Sequence, residues 1–343
     1  MPAAIRGWLA RWETVLAGCV IALLLVASAT TPGFTDGLNV ANSISLMSEK
    51  SLMILPLALL IIAREIDISV ASIAGLSAVS AGIMLRDGHS VAIAVGVAVA
   101  VGLCCGAFNG FCVTVLGLPS LVVTLGTLAL FRGLCYVLLG GTPVTAIPSS
   151  LIDFSSNNIA GTYVPLDIVP FLVLAPLFAL TLHRLPTGRR IYAIGGNPAA
   201  ARYAGVNQKK IKFGLFVVSG VACSIAGVIN IGRTSQASPD GLLGYELDAI
   251  TVVFLGGVSF LGGKGRMSGV VWALVLLIAL RSALQLHNAS AYAQGTAVGV
   301  LLIVSLLLSN LAQRIADKIG VRSRRRTAHT DTGPTLAGVG APD

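Results

Sequence analysis

Long apolar runs separated by short polar breaks dominate the chain, and their length predicts membrane-crossing helices, since about 20 apolar residues span a bilayer as a helix. In the first half the runs fall near 14–31, 44–63, 68–85, 91–116 and 120–140, with Gly117-Leu118-Pro119 as the turn between the fourth and fifth. In the second half they fall near 166–183, 212–232, 248–262, 267–286 and 293–312, the eighth being short enough to suggest a broken or re-entrant segment. The pattern predicts an all-α fold, a polytopic transmembrane helical bundle of about ten spans.

Composition removes the soluble alternative. Hydrophobic residues make up 55% of the 343 residues, charged ones 11%, and the mean hydropathy is +0.88, whereas soluble domains carry about 25% charge. No charged residue occurs from Ser90 to Phe131 or from Ser282 to Gln313. Arg6 and Arg11 ahead of the run from Thr14 to Thr30 imitate a secretory signal, but that run is longer than the ~7–15 apolar residues of a signal peptide, so a retained first helix is expected. The six cysteines lie in apolar segments without paired spacing, which reads as core packing and implies neither a metal nor a disulfide framework.

The net charge of +9 changes the picture only through its distribution. With the N-terminus inside, eighteen Lys and Arg lie in cytoplasmic segments, Arg86 and Arg233 lie outside, and Lys50, Arg132 and Arg281 fall within or near span ends. Seven acids, Asp36, Asp87, Asp153, Asp167, Asp240, Glu246 and Asp248, then lie outside. That segregation is the positive-inside bias and argues against nucleic acid as the reason for the charge. It predicts a cytoplasmic N-terminus over 1–13, a transmembrane domain over 14–312, and a basic, disordered cytoplasmic tail over 313–343 beside anionic membrane lipid.

The largest cytoplasmic loop, 184–212, holds seven Lys and Arg and no acid. At its centre a short helix is expected: Asn197 suits the N-cap, Pro198 the first helical position, Ala200 and Ala201 the interior, and Gly205 a left-handed stop, with Arg202 and Tyr203 between. Helices this short need tertiary contacts to persist. A docking partner and the lipid interface both satisfy that need on physical grounds.

This segment resembles the membrane permeases of bacterial ABC importers for sugars, of ribose, rhamnose and autoinducer-2 type, in which Gly-Asn-x-x-Ala-Ala-Arg-x-x-Gly followed by a hydrophobic residue forms the coupling helix. Asn197, Ala200, Ala201, Arg202, Gly205 and Val206 match it. Ile66 to Ser72 is similar to the family's Gly-Ile-Asp-Leu-Ser-Val-Gly, with Asp67 and Ser69 in place, Glu65 for the first glycine and Ala71 for the last. Leu255 to Arg266, with Gly256, Gly257, Gly262 and Gly263, looks like the family's double-glycine segment. The resemblance implies a type II importer-like permease, working with cytoplasmic ATP-hydrolysing subunits, a second permease copy or homologous permease, and a periplasmic sugar-binding protein. It implies no cofactor and no catalytic residue in this chain.

The glycines around Lys264 do not make a phosphate loop, because Val258 stands where the first glycine belongs and Gly265 where Ser or Thr is needed. Asp67 is expected to cap the third helix. Asn109, Thr114, Thr124 and Thr127 suit a sugar path and suit helix packing equally. Arg132 and Arg281 are functional candidates as intramembrane charges, with snorkelling as the other reading for Arg281. Glu49 and Lys50 are adjacent, so they face different sides and do not pair with each other. The outer segment from Gly140 to Asp167 is long enough to meet a receptor or to be a solvated loop. An ion-coupled transporter is the alternative and would need acids deep in its spans; none is apparent from the pattern. A membrane enzyme would need a motif such as HExxH or GxSxG, which the sequence lacks.

Overall fold

A computed structural model describes residues 12–305 and 307; the predicted tail, most of the predicted N-terminal segment and the end of the tenth run lie outside them. The described residues form helices and no extended strand. In chain order these are α1 (Trp12–Thr30), α2 (Gly37–Ser45), α3 (Ser48–Ile62), α4 (Val70–Arg86), α5 (Val91–Thr114), α6 (Ser120–Leu139), α7 (Ser149–Ser156) and α8 (Val169–His183). They continue with α9 (Pro186–Gly196), α10 (Pro198–Tyr203), α11 (Gln208–Thr234), α12 (Tyr245–Leu255), α13 (Met267–Leu286) and α14 (Ala291–Ser305).

Six helical segments are long and apolar enough to cross a membrane, and α2 with α3, bent by 48° at their junction, makes a seventh if counted as one span. α4 and α14 are apolar but shorter, and α12 has only 11 residues. The second run is thus bent near its start, and the eighth run ends as helix at Leu255 before the glycine-rich segment begins.

The centre of the bundle is α3, whose every residue from Ser48 to Ile62 is buried, packed against α11. α11 also runs along α4 and α5. Its approach to α5 depends on absent side chains: a Cβ on Gly220 would strike the Gly102 carbonyl, and one on Gly106 would strike the Phe216 carbonyl. Small residues let membrane helices approach in this way, where dispersion replaces the missing hydrophobic drive. Around this centre α1, α5, α6 and α8 expose Leu25, Val26, Ile93, Val122, Val137 and Val173, an apolar exterior suited to lipid.

Three acids are buried among the helices: Asp167 and Asp248, which the sequence placed at the outer ends of spans, and Glu49 in α3. Each finds partners on other helices, which a count along the chain cannot show. The outer segment is also more ordered than a plain loop: Val144 bridges Ala237, and α7 packs on α11.

Candidate functional site

Loop 184–212 folds into α9 and α10, and the end signals read from the sequence operate. Asn197 is extended, and its Oδ1 accepts from Ala200 N at 3.1 Å; Pro198 occupies the first turn. At the other end Gly205 has φ +77°, and Val206 N donates to the Ala201 carbonyl at 3.0 Å. α9 was not expected. Its signal was Pro186, which begins the helix where a missing N–H costs nothing.

The loop is seated on the rest of the protein by the two other segments that carried the resemblance. Gly195 has no room for a Cβ, which would overlap the Ile62 carbonyl and the Gly263 backbone. Gly263 N donates to the same Ile62 carbonyl at 2.8 Å. Arg64 Nε donates to the Gly195 carbonyl at 2.7 Å and Nη2 to Gly196 at 3.2 Å. The Tyr192 hydroxyl donates to the Gly265 carbonyl at 2.6 Å, Lys212 pairs with Glu65, and the Gln208 amide reaches the Pro198 carbonyl. Burial pushes the Tyr192 hydroxyl pKa up, against the opposing charge of Arg266. Glu65, which stands where the family's pattern has glycine, and Arg64 before it are therefore both anchors of the loop.

On this platform α10 turns one residue inward and others outward. Ala201 is 4% exposed, while Arg202 is exposed and Tyr203 is 92% exposed. The double glycines act through space: a Cβ on Gly256 would meet the Val270 backbone, Gly257 lies against the Trp12 ring, and Gly262 against the Arg64 side chain.

Asp67 does not cap α4 as expected. The N-cap is Ser69, which makes no side-chain cap bond, and Asp67 Oδ1 instead accepts from Ser69 N at 3.0 Å and Ser69 Oγ at 2.6 Å. Its Oδ2 accepts from Ser219 Oγ on α11 at 3.2 Å. Burial raises the Asp67 pKa, and the Ser69 and Ser219 bonds oppose the rise.

The four residues proposed for a path are all buried. Asn109 Nδ2 donates to Ser69 Oγ at 2.8 Å and Thr124 Oγ1 to the Ile66 carbonyl at 3.2 Å, so both hold the 66–69 turn. Thr114 and Thr127 bond to carbonyls of their own helices. None of the four lines the cavities described below.

Sequence reasoning missed a charged cluster at the opposite ends of α3 and α11. Glu49 and Lys50 do face apart, as expected: Arg233 Nε meets Glu49 Oε1 at 2.6 Å, and Lys50 Nζ meets Asp248 Oδ2 at 2.7 Å. Asn230 Nδ2 donates to Glu49 at 3.0 Å, and Arg281 Nη2 lies 2.6 Å and 2.8 Å from the two Asp248 oxygens. Ser45 and Ser48 donate to Asp167. Glu49 and Asp248 lie in the first turns of α3 and α12 and are buried inside the bundle. Both are bound to fixed cations, which occupies the oxygens an ion-coupled transporter would use. Arg132 donates to the Pro239 carbonyl.

Comparison with known proteins matches residues 39–306 to the family described as branched-chain amino acid transport system / permease component. The ribose import permease protein RbsC of Escherichia coli (strain K12) is 32% identical over 312 residues, 90% of this chain and 96% of its own. The autoinducer 2 import system permease protein LsrC of Enterobacter sp. (strain 638) is 35% identical over 294 residues, 84% of each chain. LsrD of Photorhabdus laumondii, from the same kind of system, is 31% identical over 302 residues, 86% of this chain and 90% of its own. No solved structure matches.

Proposed function

Because the chain belongs to the family of branched-chain amino acid transport system permease components, and is therefore a multi-pass membrane permease subunit, we propose that it forms the sugar path of an ATP-binding cassette importer in the bacterial inner membrane. The cargo is ribose, rhamnose or a similar monosaccharide, or autoinducer-2. ATP is hydrolysed on a separate cytoplasmic subunit, and a periplasmic binding protein delivers the sugar to a pair of permeases. The N-terminus lies inside. The span count is ten, adding the bent pair α2–α3, α4, the short α12 and the run begun by α14 to the six long segments.

The observation that carries this reading is the seating of α10. Three segments distant in sequence converge to hold a helix too short to persist alone, and they leave Arg202 and Tyr203 facing away from the platform. A docked ATPase subunit moving α10 would move Ile62 and thus α3, the most buried helix of the bundle.

Tyr203→Glu and Arg202→Glu test the reading in cells that also make the ATPase subunit. Loss of ATPase copurification, together with loss of ribose, rhamnose and autoinducer-2 uptake at normal permease levels, is expected. Normal assembly and uptake would remove the coupling role. Ala201 is less suited to the test, since its burial makes a substitution there a probe of docking to this chain rather than to a partner.

A further inference from the structure

The charged cluster borders open space. A cavity of about 310 Å³ is lined by Lys50, Tyr245, Arg281, Ser282, Gln285 and Gln294 among others, and a second of about 300 Å³ shares Lys50, Tyr245 and Arg281 with it. The two adjoin at those three side chains and are termed the first and second halves of one cleft. It lies where the α2–α3 break, the start of α12, the end of α13 and the start of α14 meet.

The chemistry of the first half is specific. Among the described residues no carboxylate lines it; Asp248 lines the second half. Lys50 and Arg281 are both held by Asp248, and Lys50 Nζ also lies 4.1 Å from the centre of the Tyr245 ring. Asp248 thus offsets one of the two positive charges and fixes both cations in place, so the cleft offers oriented donors. Gln285 and Gln294 add amides that both donate and accept, as a sugar hydroxyl does. Leu46, Met47 and Ile278 supply an apolar wall for C–H groups. The volume is at the lower end of the ~300–1,000 Å³ of small-molecule sites, the size of one sugar ring rather than two.

Packing alone does not call for this cluster. A buried ion group is often no better for stability than apolar side chains of the same volume, and charges placed within membrane spans mark the paths of polar cargo. Resting on the importer reading above, we infer that this cleft, at the end of the bundle away from loop 184–212, is a binding station for an uncharged monosaccharide. Gln285 and Gln294 recognise its hydroxyls, and the Lys50–Asp248–Arg281 group forms its floor.

The double variant Gln285→Leu/Gln294→Leu lies outside the ion group, and because Gln294 Nε2 also donates to the Ala289 carbonyl at 3.1 Å, the single variant Gln285→Leu, at an exposed residue, runs beside it to separate binding from folding. The permease with its ATPase subunit, in nanodiscs and without the binding protein, is probed by saturation-transfer NMR with D-ribose and L-rhamnose. In parallel, uptake of the same sugars is followed in proteoliposomes with the binding protein present. Saturation transfer to one sugar in the wild type, lost in the double variant, and a KM for uptake raised about tenfold at unchanged ATPase copurification are expected. Equal saturation transfer and equal KM in wild type and variant would overturn the station while leaving the importer reading intact. A wild-type complex that carries neither these sugars nor autoinducer-2 would overturn the importer reading and the station with it.

Discussion

Arg64 Nε donates to the Gly195 carbonyl at 2.7 Å across 131 positions of sequence, and does so from a backbone with φ +65°. The left-handed conformation costs a non-glycine residue about 1–2 kcal/mol, so the side-chain bonds to Gly195 and Gly196 offset a strain that glycine would avoid. Arg64→Ala keeps the strain and loses both bonds, whereas Arg64→Gly loses the bonds and the strain together. Both variants are expected to raise hydrogen exchange over 195–206, with Arg64→Gly the more stable by about 1 kcal/mol in thermal unfolding. Protection unchanged in both would show that Arg64 does not seat the loop.

Lys212 and Glu65 fasten the other end of the same loop. Their side chains are largely buried, and removing one member of such a pair costs about 3–5 kcal/mol where burial is complete, less at this partly open site. Lys212→Glu is expected to lower the melting temperature, and the reversed pair Glu65→Lys/Lys212→Glu to recover most of the loss. A double variant no better than the sum of its singles would mean that the two charges act independently.

The legible part of the chain was whatever depends on neighbours in sequence. Nine of the ten apolar runs lie wholly within the described residues, and each contains a helix; the cap and stop of α10 follow from Asn197, Pro198 and Gly205 alone. What failed to show was pairing between helices. Asp248 reads as a loop acid until Lys50 and Arg281 are brought beside it, and Glu49 reads as an unexplained charge until Arg233 arrives from α11. Asp67 reads as a cap because its position before a helix is suitable, yet Ser69 and Ser219 claim its oxygens first. The brevity of α12 was legible in the short eighth run, but the second run read as an ordinary span, and the 48° bend between α2 and α3 has no sequence period that announces it.

Asp67 gives a pH prediction. Burial raises its folded pKa above the unfolded value of about 3.9. The native state therefore holds the proton more strongly, so stability declines as pH rises from the unfolded pKa through the folded one, and is flat above. Asp67→Asn keeps an oxygen for Ser69 and escapes that decline, so its stability advantage over the wild type should grow with pH across the window. Asp67→Ala leaves the buried Ser69 N–H without its partner, a loss of about 1–3 kcal/mol. Thermal unfolding of all three proteins from pH 4 to 8 checks this. Parallel curves for wild type and Asp67→Asn would show that the carboxyl does not titrate differently on folding.

Gly220 and Gly214 occupy the same helix, α11, and differ in what faces them. A Cβ on Gly220 meets the Gly102 carbonyl, which is backbone and cannot turn aside, while one on Gly214 meets nothing within 4 Å. Gly220→Ala must therefore separate α11 from α5, at an overpacking cost of about 1–3 kcal/mol, and disturb α11, the helix against which α3 is packed. Gly214→Ala only narrows the unfolded chain's freedom and should be neutral or stabilising by about 0.5–1 kcal/mol. Melting temperatures of the two purified variants should move in opposite directions, with uptake impaired only in Gly220→Ala. If both behave alike, the close approach of α5 and α11 is not what holds the centre of the bundle.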